Sequence, residues 1–417
     1  MIRLTGVVSI CITMTAASCV LADDWPQWGG RNRDGKSADT GLLAEWPASG
    51  PTLAWKATGF GKGYSTIAVV GDRLYTMGDK ADAGWVIAAS ADDGKILWST
   101  KVGAPGSPIV PGYDFPGPRS TPTVDGNLIF ALDAWGDLIC VSAADGKEQW
   151  RRSLVKDLGG TPPTWGYAES PLVDGEQVVV TPGGQKGALA AFNKKTGELI
   201  WQSKEFTDPA HYSSIVPTEI DGTPQYVQLT AANVAGISAR DGSLLWKAPR
   251  RGNTAVIPTP LVAGNEIYVT SGYGAGCNLF KVTRTDGKFS ADQVYANHVM
   301  VNHHGGVVRV GEYIYGYSDG KGLTCQNART GEAVWAEKAA IKKGSVSYAD
   351  GKLYCREEDT GTMILVDAAS GGYTEKGRFN QPDRAEEKAW SHPVIANGKL
   401  YIRDQDLLLC YDIKAAR

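Results

Sequence analysis

The sequence has little of what marks several common classes of protein. Its 417 residues carry a formal net charge of only −3, so no basic excess favours nucleic acid or an anionic membrane surface. No stretch after residue 22 is apolar enough to cross a bilayer. Residues 272–276 resemble a phosphate-binding loop only superficially, because no helix follows them. Neither hydrolase nor phosphoryl-transfer chemistry is predicted.

The first 22 residues are typical of a secretory signal peptide. Arg3 supplies a positive charge, residues 4–20 form a short apolar stretch, and Ala22 precedes an acidic start at Asp23. We expect cleavage after Ala22 and export of the chain to the periplasm or the extracellular space. The alternative is a lipoprotein signal in which Cys19 becomes the acylated first residue.

Disulfide bonds are not predicted. Removal of residues 1–22 leaves an odd number of cysteines, which argues against a complete disulfide framework in an exported protein. These cysteines are Cys140, Cys277, Cys325, Cys355 and Cys410. Cys140 and Cys325 each lie six residues before a turn glycine, where other repeats hold alanine or glycine. We therefore expect free cysteines that act as small buried hydrophobic residues.

Tryptophan recurs at a fixed distance from a turn. The dipeptides Asp-Gly and Thr-Gly are followed, four residues after the glycine, by Trp98, Trp150, Trp201, Trp246 and Trp335. Two further repeats keep the turn but have Ala291 and Glu375 where tryptophan is expected. Such regular recurrence, every 40 to 52 residues, predicts a repeat architecture. We expect these rings to pack each sheet against its neighbour as structural docking residues.

Each repeat is β throughout and predicts one propeller blade of four short antiparallel strands. Eight innermost strands are counted, but the last repeat supplies only three strands before the chain ends. Residues 51–57, which include Trp55, look like a single outermost strand and would complete that blade. We predict an all-β, eight-bladed propeller over residues 51–413, preceded by an entry segment at 23–50.

The repeats resemble a known family. Residues 88–98 (AASADDGKILW) and 190–201 (AAFNKKTGELIW) are similar to the tryptophan-docking repeat of pyrroloquinoline quinone (PQQ) propellers. Residues 25–35 (WPQWGGRNRDG) are similar to the start of exported PQQ-like repeat proteins. The resemblance implies the quinoprotein-dehydrogenase-like propeller fold. It also implies two possible functions, a PQQ- and calcium-dependent dehydrogenase or a non-catalytic scaffold of the BamB type.

Three features that the resemblance associates with quinoprotein dehydrogenases are absent from this sequence, which favours the scaffold. No adjacent cysteine pair and no Cys-x-x-Cys-His haem motif occur, and the repeat spacing leaves little room for a long active-site cover. We expect a non-catalytic binding or assembly scaffold of the cell envelope, whose partner is an envelope protein or a small polar ligand. The alternative is a dehydrogenase that oxidises alcohols or sugars with PQQ and calcium. The sequence predicts no oligomeric state.

The loops that enter the innermost strands should meet on one face around the propeller axis. Their polar and aromatic residues form the candidate axial pocket, which comprises Tyr64, Arg119, Trp165, Glu169, His211, Asn253, His303, His304, Lys343, Trp390 and His392. Cations, aromatic rings and one carboxylate suit an anionic or carbohydrate-like ligand. The alternatives are a solvated channel and, for His303 and His304 together with His298, a metal cluster.

Overall fold

The computed structural model describes residues 24–106 and 117–416, and its regular structure there is entirely β. The predicted signal peptide, its cleavage site and Cys19 lie outside the described residues. Thirty-two strands form eight four-stranded antiparallel sheets. The predicted eight-bladed propeller is confirmed, and none of the described residues forms a helix of the length and apolarity that a membrane span needs.

Blades 1 to 4 follow one another along the chain. Blade 1 comprises β2 (Ala68–Val70), β3 (Arg73–Lys80), β4 (Ala83–Ser90) and β5 (Ile96–Gly103). Blade 2 comprises β6 (Thr123–Asp125), β7 (Leu128–Leu132), β8 (Asp137–Ser142) and β9 (Glu148–Ser153). Blade 3 comprises β10 (Leu172–Asp174), β11 (Gln177–Val180), β12 (Ala190–Asn193) and β13 (Leu199–Gln202). Blade 4 comprises β14 (Val216–Ile220), β15 (Thr223–Leu229), β16 (Asn233–Ser238) and β17 (Leu244–Pro249).

Blades 5 to 8 complete the ring. Blade 5 comprises β18 (Leu261–Ala263), β19 (Glu266–Ser271), β20 (Gly276–Thr285) and β21 (Lys288–Asn297). Blade 6 comprises β22 (Val307–Val310), β23 (Tyr313–Ser318), β24 (Gly322–Asn327) and β25 (Ala333–Glu337). Blade 7 comprises β26 (Gly344–Ala349), β27 (Lys352–Glu357), β28 (Met363–Asp367) and β29 (Glu375–Phe379). Blade 8 comprises β30 (Val394–Ala396), β31 (Lys399–Asp404), β32 (Leu407–Asp412) and, from the other end of the chain, β1 (Thr52–Ala57).

The two ends of the propeller close the ring, as predicted from the sequence. Strand β1 is antiparallel to β32, with Thr52 opposite Asp412 and Ala57 opposite Leu408. This pairing gives blade 8 its fourth strand from the start of the chain. It covers an edge of β32 that would otherwise expose unpaired backbone groups.

Small residues and turn glycines explain where the tryptophans lie. Cys140 is paired with Trp150 across the ladder and Cys325 with Trp335, at the point where each ladder shifts register. A bulky residue there would compete with the indole for space. All five cysteines of the described residues are free and buried.

Four of the tryptophan rings lie against the turn glycine of the next blade. A Cβ added to that glycine would come within 3 Å of the ring in each of the pairs Trp55–Gly94, Trp98–Gly146, Trp150–Gly197 and Trp201–Gly242. Trp150 Nε1 also donates a hydrogen bond of 2.9 Å to the Lys194 carbonyl of that turn. The indole thus joins neighbouring blades by both packing and a hydrogen bond.

Blades 4 to 7 depart from this pattern. In blade 6 a Cβ added to Gly371 would meet nothing within 4 Å, although Trp335 Nε1 still donates to the Ala369 carbonyl at 2.9 Å, and blade 7 has Glu375 in place of a tryptophan.

Tyr295, not residue 291, lies against Gly331 and donates to the Ala328 carbonyl at 2.8 Å. The hairpin of β20 and β21 is longer than the others, which moves the contact residue four positions along the strand. The longer hairpin also places its turn glycine, Gly287, away from the Trp246 ring. The Trp246 indole donates instead to Gln225 within its own blade.

Residues 24–46 run across the propeller before β1 begins. Trp25 pairs with Val69 in β2, and Lys36 pairs with Tyr348 in β26. The Arg33 guanidinium, which is 2% exposed, donates hydrogen bonds to the carbonyls of Ser170 and Pro171. One segment therefore contacts innermost strands from different blades, which places it on the axis of the ring.

Candidate functional site

A cavity of about 490 Å³ lies where the loops before the innermost strands meet. Its volume falls within the range of small-molecule sites. It is lined by Trp28, Tyr64, Arg119, Trp165, Ala168, Tyr212, Ser214, Thr254, Ala255, Ile257, Tyr273, His303, His304, Trp390 and His392. Seven of the eleven residues predicted for the axial pocket are among them. We call this space the axial cavity.

A belt of rings surrounds the axial cavity. The ring centroids of Tyr64 and Trp390 are 4.7 Å apart, and those of Trp390 and His304 are 5.6 Å apart. The belt continues through His303, stacked on His304 at 5.2 Å, to Tyr273 at 4.7 Å. Apart from the stack of His303 on His304 within one loop, each contact joins residues that are distant in sequence, so the belt is assembled by the closed ring of blades.

The other side of the belt carries a cation. The Arg119 guanidinium lies over the Tyr64 ring, 5.5 Å from its centroid, and its Nη1 donates to the Trp165 carbonyl at 3.0 Å. The Trp165 ring lies 5.9 Å from that of Tyr212. Burial lowers the pKa of Arg119 from its usual value, but an arginine remains charged at neutral pH.

Trp28 forms the floor of the axial cavity. Its indole Nε1 donates to Thr259 Oγ1 at 2.9 Å, and its ring lies 4.7 Å from that of His392. Trp28 and His392 also line a second cavity of only about 40 Å³ beneath, next to Trp25 and Arg33. The entry segment therefore fills the axis below Trp28.

The histidines of the axial cavity are neutral at physiological pH. Burial, with a smaller contribution from Lys343, lowers the pKa of His303 to about 4. Burial also lowers the pKa of His392 to about 4, and its Nε2 lies 2.9 Å from the His304 carbonyl oxygen. His304 Nε2 lies 2.9 Å from Glu358 Oε2, yet burial still lowers the pKa of His304 well below its usual value.

Four residues predicted for the pocket do not line the cavity. Glu169 is buried and accepts hydrogen bonds from the backbone and hydroxyl of Thr181. His211 Nδ1 accepts from the Val256 backbone, and Asn253 donates to the Tyr273 carbonyl. Lys343 lies behind His303 and pairs with Asp319 at 3.1 Å. These side chains support the loops instead of facing the cavity.

Glu169 makes protein stability depend on pH in a way that can be tested. Burial raises its pKa to about 7, an effect partly offset by Thr181 and Arg33. Between the lower pKa of the unfolded chain and this value, the folded protein retains a proton that the unfolded chain has released. The contribution of Glu169 to stability is therefore present at low pH and is lost as pH rises towards about 7.

Glu169→Gln should remove this loss. We expect the free energy of unfolding of the variant, relative to the wild type, to increase by about 2.5 kcal/mol between pH 5 and 8. Urea unfolding at both pH values measures it. The exposed Glu205→Gln is the matched control and should follow the wild type. Parallel pH profiles for the wild type and Glu169→Gln would contradict the expectation.

Two important lining residues lie outside the predicted set. Trp28 belongs to the entry segment, and nothing in its local sequence indicates that it reaches the axis. Tyr273 lies in the tight connection between β19 and β20, with the positive φ of 56° that such a turn requires. Its position directly before Gly274 is the one local signal that could have drawn attention to it.

Two stretches have the residue spacing of catalytic motifs but not the local structure that those motifs require. Residues 30–37 (GRNRDGKS) have the spacing of a phosphate-binding loop, but they belong to the entry segment and no helix follows. Residues 316–320 (GYSDG) have the spacing of a nucleophile elbow, but Ser318 is buried and donates to the Val299 carbonyl. Within residues 24–106 and 117–416, no three His, Cys, Asp or Glu side chains are grouped to hold a metal.

Solved structures of two functional kinds share this fold. BamB from Moraxella catarrhalis superposes with a TM-score of 0.63 at 14% identity, covering 88% of this chain and 98% of that one. A quinohemoprotein alcohol dehydrogenase from Comamonas testosteroni gives 0.66 at 12% identity, covering 95% of this chain and 81% of that one. At such identities the likeness shows the fold alone.

Sequence relatives fall into the same two groups. Outer membrane protein assembly factor BamB of Yersinia pestis is 27% identical over 189 residues, 43% of this chain and 42% of that protein. Quinohemoprotein alcohol dehydrogenase ADH IIB of Pseudomonas putida is 33% identical over 114 residues, 27% of this chain and 15% of that protein. The matched regions thus span less than half the length of either relative.

The match to a family model shows to which family the chain belongs. The model described as outer membrane protein assembly factor BamB matches residues 82–337, which run from β3–β4 in blade 1 to the end of blade 6. The match covers more than half of the chain and includes the repeats on which the predicted resemblance depends. This chain belongs to the BamB family of PQQ-like propellers.

Proposed function

We propose that this protein is a non-catalytic binding or assembly scaffold of the cell envelope, exported by its first 22 residues. Membership of the BamB family and the likeness to a BamB structure support this proposal. The observation that carries it is the chemistry of the axial cavity. Its described lining has rings and an arginine but no carboxylate, amide or thiol side chain.

The cofactors of quinoprotein relatives provide a specific test of that chemistry. Calcium takes six to eight oxygen ligands, mostly from carboxylates, amides and carbonyls. The side-chain oxygens in the described lining are hydroxyls, from Ser214, Thr254 and the tyrosines, and the Arg119 cation would repel a metal ion. These residues do not fit calcium, so no catalytic step through PQQ and calcium follows from them.

The alternative, a dehydrogenase that oxidises alcohols or sugars, is tested by reconstitution. Purified protein is incubated with PQQ and calcium, and substrate-driven reduction of an artificial electron acceptor is followed. We expect no turnover above a sample without protein. Reduction that needs protein, PQQ and calcium together would replace the scaffold proposal with the enzyme.

Location and assembly need a separate experiment. Mass spectrometry of the protein from fractionated cells should find Asp23 at the mature N-terminus, whereas a lipid on Cys19 would support the alternative anchor. Chemical cross-linking before solubilisation should join the protein to an envelope protein. Recovery in the cytoplasm with residues 1–22 intact would contradict the proposal.

A further inference from the structure

We infer that two aspartates of the hairpin between β7 and β8 bind a calcium ion against the end of β5. They are Asp133 and Asp137, which flank Trp135 in blade 2. None of these three is among the described residues that line the axial cavity. The inference therefore goes beyond the proposed function and does not depend on it.

Asp133 has one carboxylate oxygen with partners and one without. Its Oδ1 accepts hydrogen bonds from the backbone N–H groups of Trp135 at 3.0 Å and Asp137 at 2.8 Å. Its Oδ2 is buried and has no hydrogen-bond partner among the described residues. Because Asp133 is only 3% exposed, bulk water does not supply the missing partner. A buried carboxylate in this state needs either a cation or a proton.

The two carboxylates converge on Gly103, the last residue of β5. A Cβ added to Gly103 would lie 2.9 Å from Asp137 Oδ2 and closer still to Asp133 Oδ2. Both oxygens are thus turned towards one place beside a residue that has no side chain. Two oxygens that approach one point this closely can share a calcium ion, whose ligand distances are about 2.3–2.6 Å.

The charges of the two aspartates are not balanced by a described lysine or arginine. Burial raises the pKa of Asp133 to about 7, Asp137 adds to the rise, and backbone N–H groups alone oppose it. The Arg151 guanidinium donates to the Lys101 carbonyl at 3.0 Å, but it is paired with Glu148 at 2.7 Å. Two carboxylates without a counter-ion attract a cation, and hard oxygen ligands favour calcium or magnesium.

The small number of carboxylates favours calcium and limits its affinity. The other ligands must be backbone carbonyls and water, which calcium accepts in a flexible geometry of six to eight oxygens. Magnesium demands a near-ideal octahedron, to which an aspartate held by two hydrogen bonds cannot adjust freely. We expect a dissociation constant of about 0.1–1 mM, as in extracellular calcium modules. The bound ion joins the end of blade 1 to the hairpin of blade 2.

Calorimetry on the full chain, after treatment with EDTA and buffer exchange, measures the binding. We expect one calcium ion to bind saturably and more tightly than magnesium. Asp133→Asn and Asp137→Asn should each weaken calcium at least about tenfold, because each removes one of two ligand charges. Asp145→Asn is the matched control, since Asp145 is an exposed turn residue of the same blade, and should leave the affinity unchanged.

Terbium luminescence locates the ion. Terbium replaces calcium at oxygen sites and emits when a nearby tryptophan is excited. Trp135 is close, because its backbone donates to Asp133 and its Nε1 donates to the Pro105 carbonyl at 3.3 Å. Trp135→Phe should therefore lose most of the sensitised emission while keeping the calcium affinity of the wild type.

Any of three results would overturn the inference. The first is no saturable calcium binding up to about 10 mM, ten times the weakest constant expected, which would mean that Asp133 carries a proton instead. The second is magnesium binding as tight as that of calcium. The third is calcium binding that survives both substitutions to asparagine, or terbium emission unchanged in Trp135→Phe, since the ion would then lie elsewhere.

The test remains decisive if one variant fails. If Asp133→Asn does not fold, Asp137→Asn decides, because Asp137 is only partly buried. None of the outcomes bears on cross-linking to an envelope protein or on reduction of an electron acceptor with PQQ. The scaffold proposal therefore stands or falls separately.

Discussion

Replacing Arg403 by methionine is expected to lower the free energy of unfolding by about 3–5 kcal/mol, because the change leaves several buried carbonyls without a donor. Arg403 lies in β31 of blade 8 and is only 2% exposed. Methionine keeps most of the side-chain volume, so a cavity contributes little. The loss measures the hydrogen bonds of one guanidinium.

Those hydrogen bonds join the last blade to the first. Arg403 donates to the carbonyls of Phe60, Gly61, Ser65, Met77 and Gln405 and to the hydroxyl of Thr76. All of these acceptors except Gln405 belong to the segment that leads into blade 1 or forms it. The pairing of β1 with β32 closes the ring at its outer edge, and Arg403 closes it near the axis. Loss of Arg403 should therefore weaken the closure itself.

Urea unfolding followed by tryptophan fluorescence measures the effect. Arg284→Met is the control, because Arg284 is exposed and its closest hydrogen bonds are 3.4 and 3.5 Å long. Arg403→Lys should recover only part of the stability, since an ammonium cannot reproduce the planar fork. A loss for Arg403→Met no larger than that for Arg284→Met would contradict this role.

Replacing Gly197 by alanine should destabilise the protein by about 2–4 kcal/mol, from backbone strain and from overpacking. Gly197 has a φ of +68°, and an added Cβ would lie 2.7 Å from the Trp150 ring. Gly222 is a close control: its φ is +69°, but an added Cβ would meet nothing within 4 Å. Gly222→Ala should therefore cost only about 1 kcal/mol, the strain alone.

Trp150→Ala completes the experiment. Trp150 is 7% exposed, and its truncation should cost about 3–5 kcal/mol. In that background the additional cost of Gly197→Ala should fall to that of Gly222→Ala, because the ring is gone. Thermal and chemical unfolding of the single and double variants measures the coupling. Additive effects of the two substitutions would show that the ring and the turn do not support each other.

Much of the fold could be predicted because its signals are local and repeated. An Asp-Gly turn and the tryptophan that follows it lie in one hairpin, so their spacing is visible in the sequence. The last repeat has three strands and the segment at Trp55 is a single strand without a repeat of its own. Counting strands was therefore enough to predict that the two belong to one blade. The contact of Tyr295 with the turn of the next blade could not be predicted in this way. A longer hairpin moves the contact residue along the strand, and the spacing of the repeats does not show this.

The site was less predictable because its residues come together only in the closed ring. The sequence indicated the loops and seven lining residues, since their positions before the innermost strands repeat. It gave no sign that Glu169 turns inward to Thr181 while Trp28 reaches the axis. Both depend on where the entry segment crosses the ring.

By itself the sequence determined the strand repeat, the number of blades and the way the ring closes, because hairpin turns and alternating strands are set by neighbouring residues. Only the tertiary structure decided that the axis is filled by the entry segment and that an aromatic cavity with one arginine remains above it. A cavity is bounded by residues far apart in the chain, and its shape follows from how the blades and this segment pack together.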